Sequence, residues 1–213
     1  MNKPEEITKD NPYGVCTWKD ASNCEKCKIE GKLKCRFKLK HLLFFIGAFL
    51  LMFIPGVIGM ILAGFGWFIL GWIGFALFFF NIWESKILCS HCPFYAERGN
   101  TLHCIANYGS YKPWKYNPVP MSRSEKFQLI IGFIILGCFP FPFLFFGQEF
   151  LFLFITSIGL LSFFAYLKIK VCSKCVNFSC PFNSVKKEIV DDFLKKNRVM
   201  KKAWEEEGYI LDE

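Results

Sequence analysis

Cysteine is the residue type in this sequence best able to do chemistry. Ten of the eleven cysteines form three groups, and each group contains a Cys-x-x-Cys pair. The groups are Cys16, Cys24, Cys27 and Cys35; then Cys89, Cys92 and Cys104; then Cys172, Cys175 and Cys180. Two thiolates three residues apart can bring both sulfurs to one metal centre. The eleventh, Cys138, lies in an apolar segment, and we expect it to be a packing residue.

The three groups differ in the number of ligands that they offer. The first has four cysteines within 20 residues, which is a full tetrahedral set. The second has three, and His103 has the spacing to complete it. The third has three cysteines and no nearby histidine, so it lacks one ligand. It either borrows that ligand from the second group or leaves one position on its metal open.

Three kinds of chemistry fit these cysteine groups. Zn²⁺ is the usual occupant of sites with four cysteines, or with three cysteines and a histidine. An iron–sulfur cluster is the alternative, because Pro follows Cys92 and Cys180 as it does in bacterial ferredoxin-type runs. A reducing cytoplasm disfavours structural disulfides, so redox chemistry of the thiols, or free thiols, is the third possibility.

The elements that must position these cysteines are membrane helices. Hydrophobic residues make up 53% of the chain, which includes 27 Phe, and they cluster in two long runs. Among Asp, Glu, His, Lys and Arg, residues 41–85 contain only His41 and Glu84, and residues 127–167 contain only Glu149. Each run is long enough for two helices across about 30 Å of hydrocarbon. The sequence therefore predicts an all-α polytopic membrane protein with four transmembrane helices in two hairpins.

The turns and boundaries follow from where polar and glycine residues interrupt these runs. A first outer turn at Gly64-Phe65-Gly66 divides the first apolar run into two equal helices, which favours it over a turn at Pro55. In the second run Gly147-Gln148-Glu149 marks the turn. The predicted segments are a cysteine-rich segment (1–40), the first hairpin (41–85), a cysteine and aromatic loop (86–126), the second hairpin (127–167), and a cysteine module with a C-terminal amphipathic helix (168–213).

Charge predicts the orientation. The segments outside the two apolar runs contain all 26 Lys and Arg, with 10 in residues 1–40, 6 in 86–126 and 10 in 168–213. Cytoplasmic loops carry the excess of basic residues, so both termini and the central loop are expected in the cytoplasm of a cell (inner) membrane protein. The net charge of +8 then indicates topology and contact with the lipid bilayer rather than with nucleic acid.

The same short motifs occur in the same order in the two halves of the chain, which suggests that the halves are a parallel repeat. Pro55 and Pro140 each follow an Ile-Gly pair by nine residues, and each half ends in Cys-Ser-x-Cys. An even number of spans per repeat makes the repeat parallel, so both Cys-x-x-Cys pairs are expected on one face.

Two functions are compatible with these features. The first is a membrane-anchored scaffold or interaction protein with zinc-binding cysteine modules and a cytoplasmic or membrane protein partner. The second is a redox component that carries iron–sulfur centres at the membrane surface. The sequence contains no Ser/His/Asp set, carboxylate pair or phosphate loop that would favour an enzyme.

Overall fold

A computed structural model describes residues 11–18, 27–104 and 106–212. Within these ranges the protein is helical, with one isolated β-bridge between Thr101 and Tyr111 and no strand. Four helical stretches are long and apolar enough to cross a membrane, which confirms the predicted all-α fold with four helices of membrane-spanning length and composition. They are Leu39–Leu62, Phe68–His91, Arg123–Phe146 and Phe150–Lys174.

The helices follow the apolar runs closely. They are α1 (Leu39–Leu62), α2 (Phe68–Phe78), α3 (Glu84–Ile87), α4 (Arg123–Cys138), α5 (Pro140–Phe146), α6 (Phe150–Tyr166), α7 (Lys187–Leu194) and α8 (Arg198–Glu206). A π-helical turn, Phe79–Trp83, joins α2 to α3. The turn between α1 and α2 lies at Gly64, where the division of the first apolar run into equal halves predicted it. Gly64 has φ +82°, a conformation that favours glycine. The second turn contains Gly147 and Gln148, as predicted.

Both membrane prolines interrupt the hydrogen bonding of their helices. Pro140 has no N–H to donate to the carbonyl of Leu136, and the helix breaks at Phe139 between α4 and α5. The Trp72 indole N–H donates to that carbonyl instead, at 2.9 Å and fully buried. Since hydrocarbon offers no water to bond a free carbonyl, this contact resolves the polar defect that the proline creates.

The closest packing between membrane helices is that of α1 on α6, and α1 also packs on α5; a second pair forms where α4 contacts α2 and α3. Glycines permit this approach. A Cβ on Gly159 of α6 would lie 2.6 Å from the Leu51 carbonyl oxygen of α1, and a Cβ on Gly132 of α4 would overlap the Phe79 ring. Small residues at helix contacts let backbones pack closely in membranes, and these glycines hold the two pairs together.

The C-terminal segment differs from the single amphipathic helix that the sequence predicted. It forms two short helices, α7 and α8, that break at residues 195–197. Asn197 causes the break, because its side chain donates to the Phe193 carbonyl at 2.6 Å and accepts the Cys16 N–H at 2.7 Å. An asparagine that bonds backbone groups in this way competes with the helix ladder.

The segments outside the apolar spans share one apolar core. It includes Val15 near the amino terminus, Ile29, Val176, and Phe193 and Trp204 of the C-terminal helices. Several of the cysteines pack in or against this core. The described parts of the cysteine groups therefore belong to one folded layer, which we call the cysteine layer (residues 11–18, 27–35, 89–104, 106–116 and 172–211).

Candidate thiol site

Six cysteines line one cavity between the cysteine layer and the membrane helices. The cavity has a volume of about 620 Å³. Its thiols are those of the second and third groups, namely Cys89, Cys92, Cys104, Cys172, Cys175 and Cys180. All six are free of disulfides. The fold thus places two distant segments of the sequence around a single site, which we call the thiol cavity.

The two Cys-Ser-x-Cys segments have the same local backbone. A 3-10 turn contains the first cysteine of each, at Cys89–His91 and at Cys172–Lys174. The second cysteine of each pair is extended, with φ −86° and ψ 136° at Cys92 and φ −80° and ψ 137° at Cys175. The shared backbone presents both cysteines of each pair to the cavity.

Backbone N–H groups point at the sulfurs. The Asn177 N–H donates to Cys175 Sγ at 3.5 Å, and the Phe94 and Phe182 N–H groups bond to the thiols of Cys92 and Cys180. Each donor lies two residues after its cysteine, so the three loops repeat one arrangement. Hydrogen bonds to sulfur are a common second layer around thiolate metal ligands, where they adjust the properties of the centre.

Burial determines the protonation of these thiols in the metal-free chain. Desolvation raises the pKa of Cys92 and of Cys175, and raises that of Cys180 to about 12. A cation within the cavity would reverse this effect, because a coordinating thiol is deprotonated outright. Metal binding by these residues would therefore release protons.

The two groups lie within electrostatic range of each other. Cys92 interacts with Cys104 of its own group and with Cys175 of the third group, and Cys175 interacts with Cys104. Nevertheless, in the part of the chain that the structure describes, no three His, Cys, Asp or Glu side chains are close enough together to hold a metal ion. The thiols surround the cavity and do not converge on one point.

Glu84 and Asn107 are two polar residues of the cavity that sequence reasoning did not single out. Glu84 is 4% exposed and accepts a hydrogen bond from Asn107 Nδ2 at 3.0 Å. The same amide nitrogen lies 3.6 Å from Cys89 Sγ. The only sequence signal was the position of Glu84 at the end of an apolar run, which equally suits a residue in contact with water.

The two loop histidines do not line the thiol cavity. His103, the predicted fourth ligand of the second group, is half-exposed, and its Nδ1 lies 3.4 Å from a Glu97 carboxylate oxygen. His91 is buried, with Nδ1 at the Val119 carbonyl and Nε2 3.3 Å from Glu125 at the start of α4. His91 thereby fixes the loop to the membrane helix.

The first group lies apart from the cavity, against the C-terminal helices. The Lys196 ammonium donates to Cys27 Sγ at 3.0 Å, and Asn197 Nδ2 lies 3.4 Å from Cys16 Sγ. Cys35 packs against the same apolar core. The predicted ligand Cys24 lies outside the described residues.

Comparison of the chain with known proteins gives no family assignment. No protein-family model matches it, and neither a curated protein nor a solved structure does so. What the protein does is therefore inferred from the thiol cavity and its surroundings.

Proposed function

We propose that this is a membrane-anchored metal-binding protein, in which the six cysteines of the thiol cavity form one shared site. The observation that carries the proposal is the meeting of the second and third groups around a single cavity. Sulfur is a preferred ligand of zinc and of iron–sulfur clusters, and the chemistry of this donor set fits either. The four membrane helices anchor and position the site.

A shared site resolves the ligand shortage of the third group. Cys172, Cys175 and Cys180 supply three ligands, one fewer than a tetrahedral metal needs. The thiols of Cys92 and Cys104 lie across the cavity and within electrostatic range of Cys175. Small rotations of these side chains towards a bound ion would complete the set without help from His103.

We assign zinc and a structural role to the first group. Cys16 and Cys27 receive hydrogen bonds from Asn197 and Lys196, donors that stabilise a thiolate. Zinc held there would link the amino-terminal segment to the C-terminal helices. The protein would then present a folded, metal-stabilised surface to a cytoplasmic or membrane partner.

Orientation and duplication are part of the same proposal. The distribution of basic residues favours the cysteine layer on the cytoplasmic side of the cell membrane. The matching backbone at Cys92 and Cys175 supports a parallel repeat that brings both Cys-x-x-Cys pairs to the same face.

The test is metal analysis of the full-length protein, purified without oxygen. We expect bound metal in the wild type, loss of the cavity metal in Cys175→Ser, and no loss in Cys138→Ser. The second variant is a matched control, because Cys138 is exposed on α4 and does not line the cavity. A wild-type protein without stoichiometric metal, or equal metal content in both variants, would refute the shared site.

A redox role is the second candidate, and the backbone donors at the sulfurs favour it. The N–H groups at three of the sulfurs match the hydrogen bonds that adjust cluster potentials. A visible absorbance band that bleaches on reduction would identify the cluster, and a colourless zinc protein would exclude it.

A further inference from the structure

The thiol cavity extends well beyond its cysteines into the membrane bundle. Its walls include Met52 of α1, Leu136 of α4 and Leu160 of α6, which lie within the apolar spans. These residues come from three of the membrane helices, and Gly137 of α4 and Leu160 of α6 both line the cavity at a point where the two helices approach closely. A volume of about 620 Å³ is in the range of small-molecule binding sites. A metal centre at the cysteine end would leave the apolar part of the cavity, within the membrane helices, free for another ligand.

Aromatic rings dominate the apolar walls. Eight phenylalanines line the cavity, and they come from α1, the π-turn, the loops, α4 and α6. They are Phe45, Phe49, Phe80, Phe94, Phe133, Phe163, Phe164 and Phe182. Offset or edge-to-face contacts between aromatic rings stabilise an association beyond the burial of their area. Such walls favour a ligand with a flat ring over one with only an aliphatic chain.

A single buried carboxylate lies among these rings. Glu84 is 4% exposed and lines the cavity. Among the described residues Asn107 is its only hydrogen-bond partner, and none forms an ion pair with it. A buried carboxylate can accept about four hydrogen bonds, and leaving it nearly bare in an apolar site is costly. The Glu84 carboxyl group therefore has hydrogen-bonding capacity that no described residue uses.

We propose that the thiol cavity binds a membrane-soluble phenol or hydroquinone, with its ring among the phenylalanines and its hydroxyl donating to Glu84. The ring would fill the apolar part of the cavity, and the hydroxyl would supply a further donor to the carboxyl group. Because the walls belong to helices that span the bilayer, such a ligand enters from the membrane. This inference concerns a ligand other than the metal and does not depend on which metal the cysteines bind.

Anionic lipids suit the site less well. A phosphate or carboxylate head at Glu84 would place two negative charges together in an apolar cavity. Lys34, on the side of Cys172 and Cys175, and Lys168 also line the cavity, and these two cations are the anchors that it offers to a fatty acid. Laurate therefore serves as the competing ligand in the test.

The experiment measures binding of decylhydroquinone to the full-length protein in nanodiscs, under argon, by calorimetry against empty nanodiscs. We expect saturable binding of one molecule per chain. The dimethyl ether of the same compound has no donor, and we expect its affinity to be about tenfold lower, because the hydrogen bond to Glu84 is lost. Laurate should compete poorly.

Two variants locate the site. Glu84→Gln should weaken binding of decylhydroquinone about tenfold, since the charge-assisted hydrogen bond becomes a neutral one. Its matched control is Glu149→Gln, because Glu149 is the other carboxylate of the apolar runs and lies at the outer turn. Leu160→Trp leaves Glu84 in place and should abolish binding by filling the cavity.

The outcomes separate this proposal from the metal proposal. Metal content is measured on each sample, so a protein that binds metal but no hydroquinone refutes this inference alone. Equal affinity for the ether and the hydroquinone, unchanged binding in both Glu84→Gln and Leu160→Trp, or tighter binding of laurate would each overturn it. If Glu84→Gln loses its metal, the Leu160→Trp variant still tests the inference. A folded Leu160→Trp protein that binds metal but no decylhydroquinone would support the proposed hydroquinone site.

Discussion

The hydrogen bond from Trp72 to the Leu136 carbonyl gives the sharpest test of how the bundle accommodates Pro140. Replacing Trp72 with Phe keeps an aromatic ring but removes the indole N–H. The Leu136 carbonyl then has neither the Pro140 N–H nor the indole as a partner, within a buried part of the bundle. We expect Trp72→Phe to lower the free energy of unfolding.

The magnitude follows from the loss of one buried hydrogen bond. An unsatisfied buried carbonyl costs about 1–3 kcal/mol, and couplings between polar groups in membrane bundles reach about 1.7 kcal/mol. The smaller ring also loses contact with Phe139, whose ring stacks on Trp72 with centroids 5.7 Å apart. That packing loss is the same whether or not residue 140 is proline, so a double-mutant cycle removes it.

The assay is reversible unfolding in mixed micelles for the wild type, Trp72→Phe, Pro140→Ala and the double variant. Alanine at 140 restores an N–H for the Leu136 carbonyl, so Trp72→Phe should cost about 1 kcal/mol less in that background. Trp67→Phe is the control, since Trp67 is 83% exposed on the outer turn. A coupling energy of zero between positions 72 and 140 would refute the reasoning.

Three further predictions concern other contacts. Gly159→Leu should separate α1 from α6 and destabilise the bundle by several kcal/mol, because its Cβ would lie 2.6 Å from the Leu51 carbonyl oxygen. The control is Gly71→Leu, whose Cβ would meet nothing within 4 Å and which should leave unfolding in micelles unchanged. Asn197→Ala should release the segment at residues 11–18 to proteases, at a cost of about 1–3 kcal/mol, and protection equal to that of the wild type would contradict this. Burial alone would raise the pKa of Asp191, but hydrogen bonds from Lys187, Tyr209 and the Asp212 N–H lower it. The ionised Asp191 therefore stabilises the fold above the ordinary aspartate pKa, and this stabilisation disappears as the pH falls below about 4. Near-ultraviolet dichroism of Tyr209 should follow this loss, and Asp191→Asn should abolish the transition.

The sequence by itself determined the membrane elements. Hydropathy is a local property, so the apolar runs and their glycine and polar interruptions were sufficient to locate four helices and both outer turns. The interruption at Pro140 depends on chemistry within one helix, because proline has no N–H to donate. The partner of the freed carbonyl did not, because Trp72 lies 64 residues away along the chain.

Only the tertiary structure decided which side chains meet. Spacing suggested His103 as a ligand of the second group, yet the fold pairs it with Glu97 and places Cys175 and Cys180 around the same cavity as Cys92. The C-terminal stripe suggested one helix, and a contact between Asn197 and Cys16, 181 residues apart, divides it. Hydrophobic periodicity reports which face of a helix is buried, but not what covers that face. The thiol cavity exists because two helix pairs hold distant loops together, and that arrangement depends on close contacts such as Gly159 against Leu51.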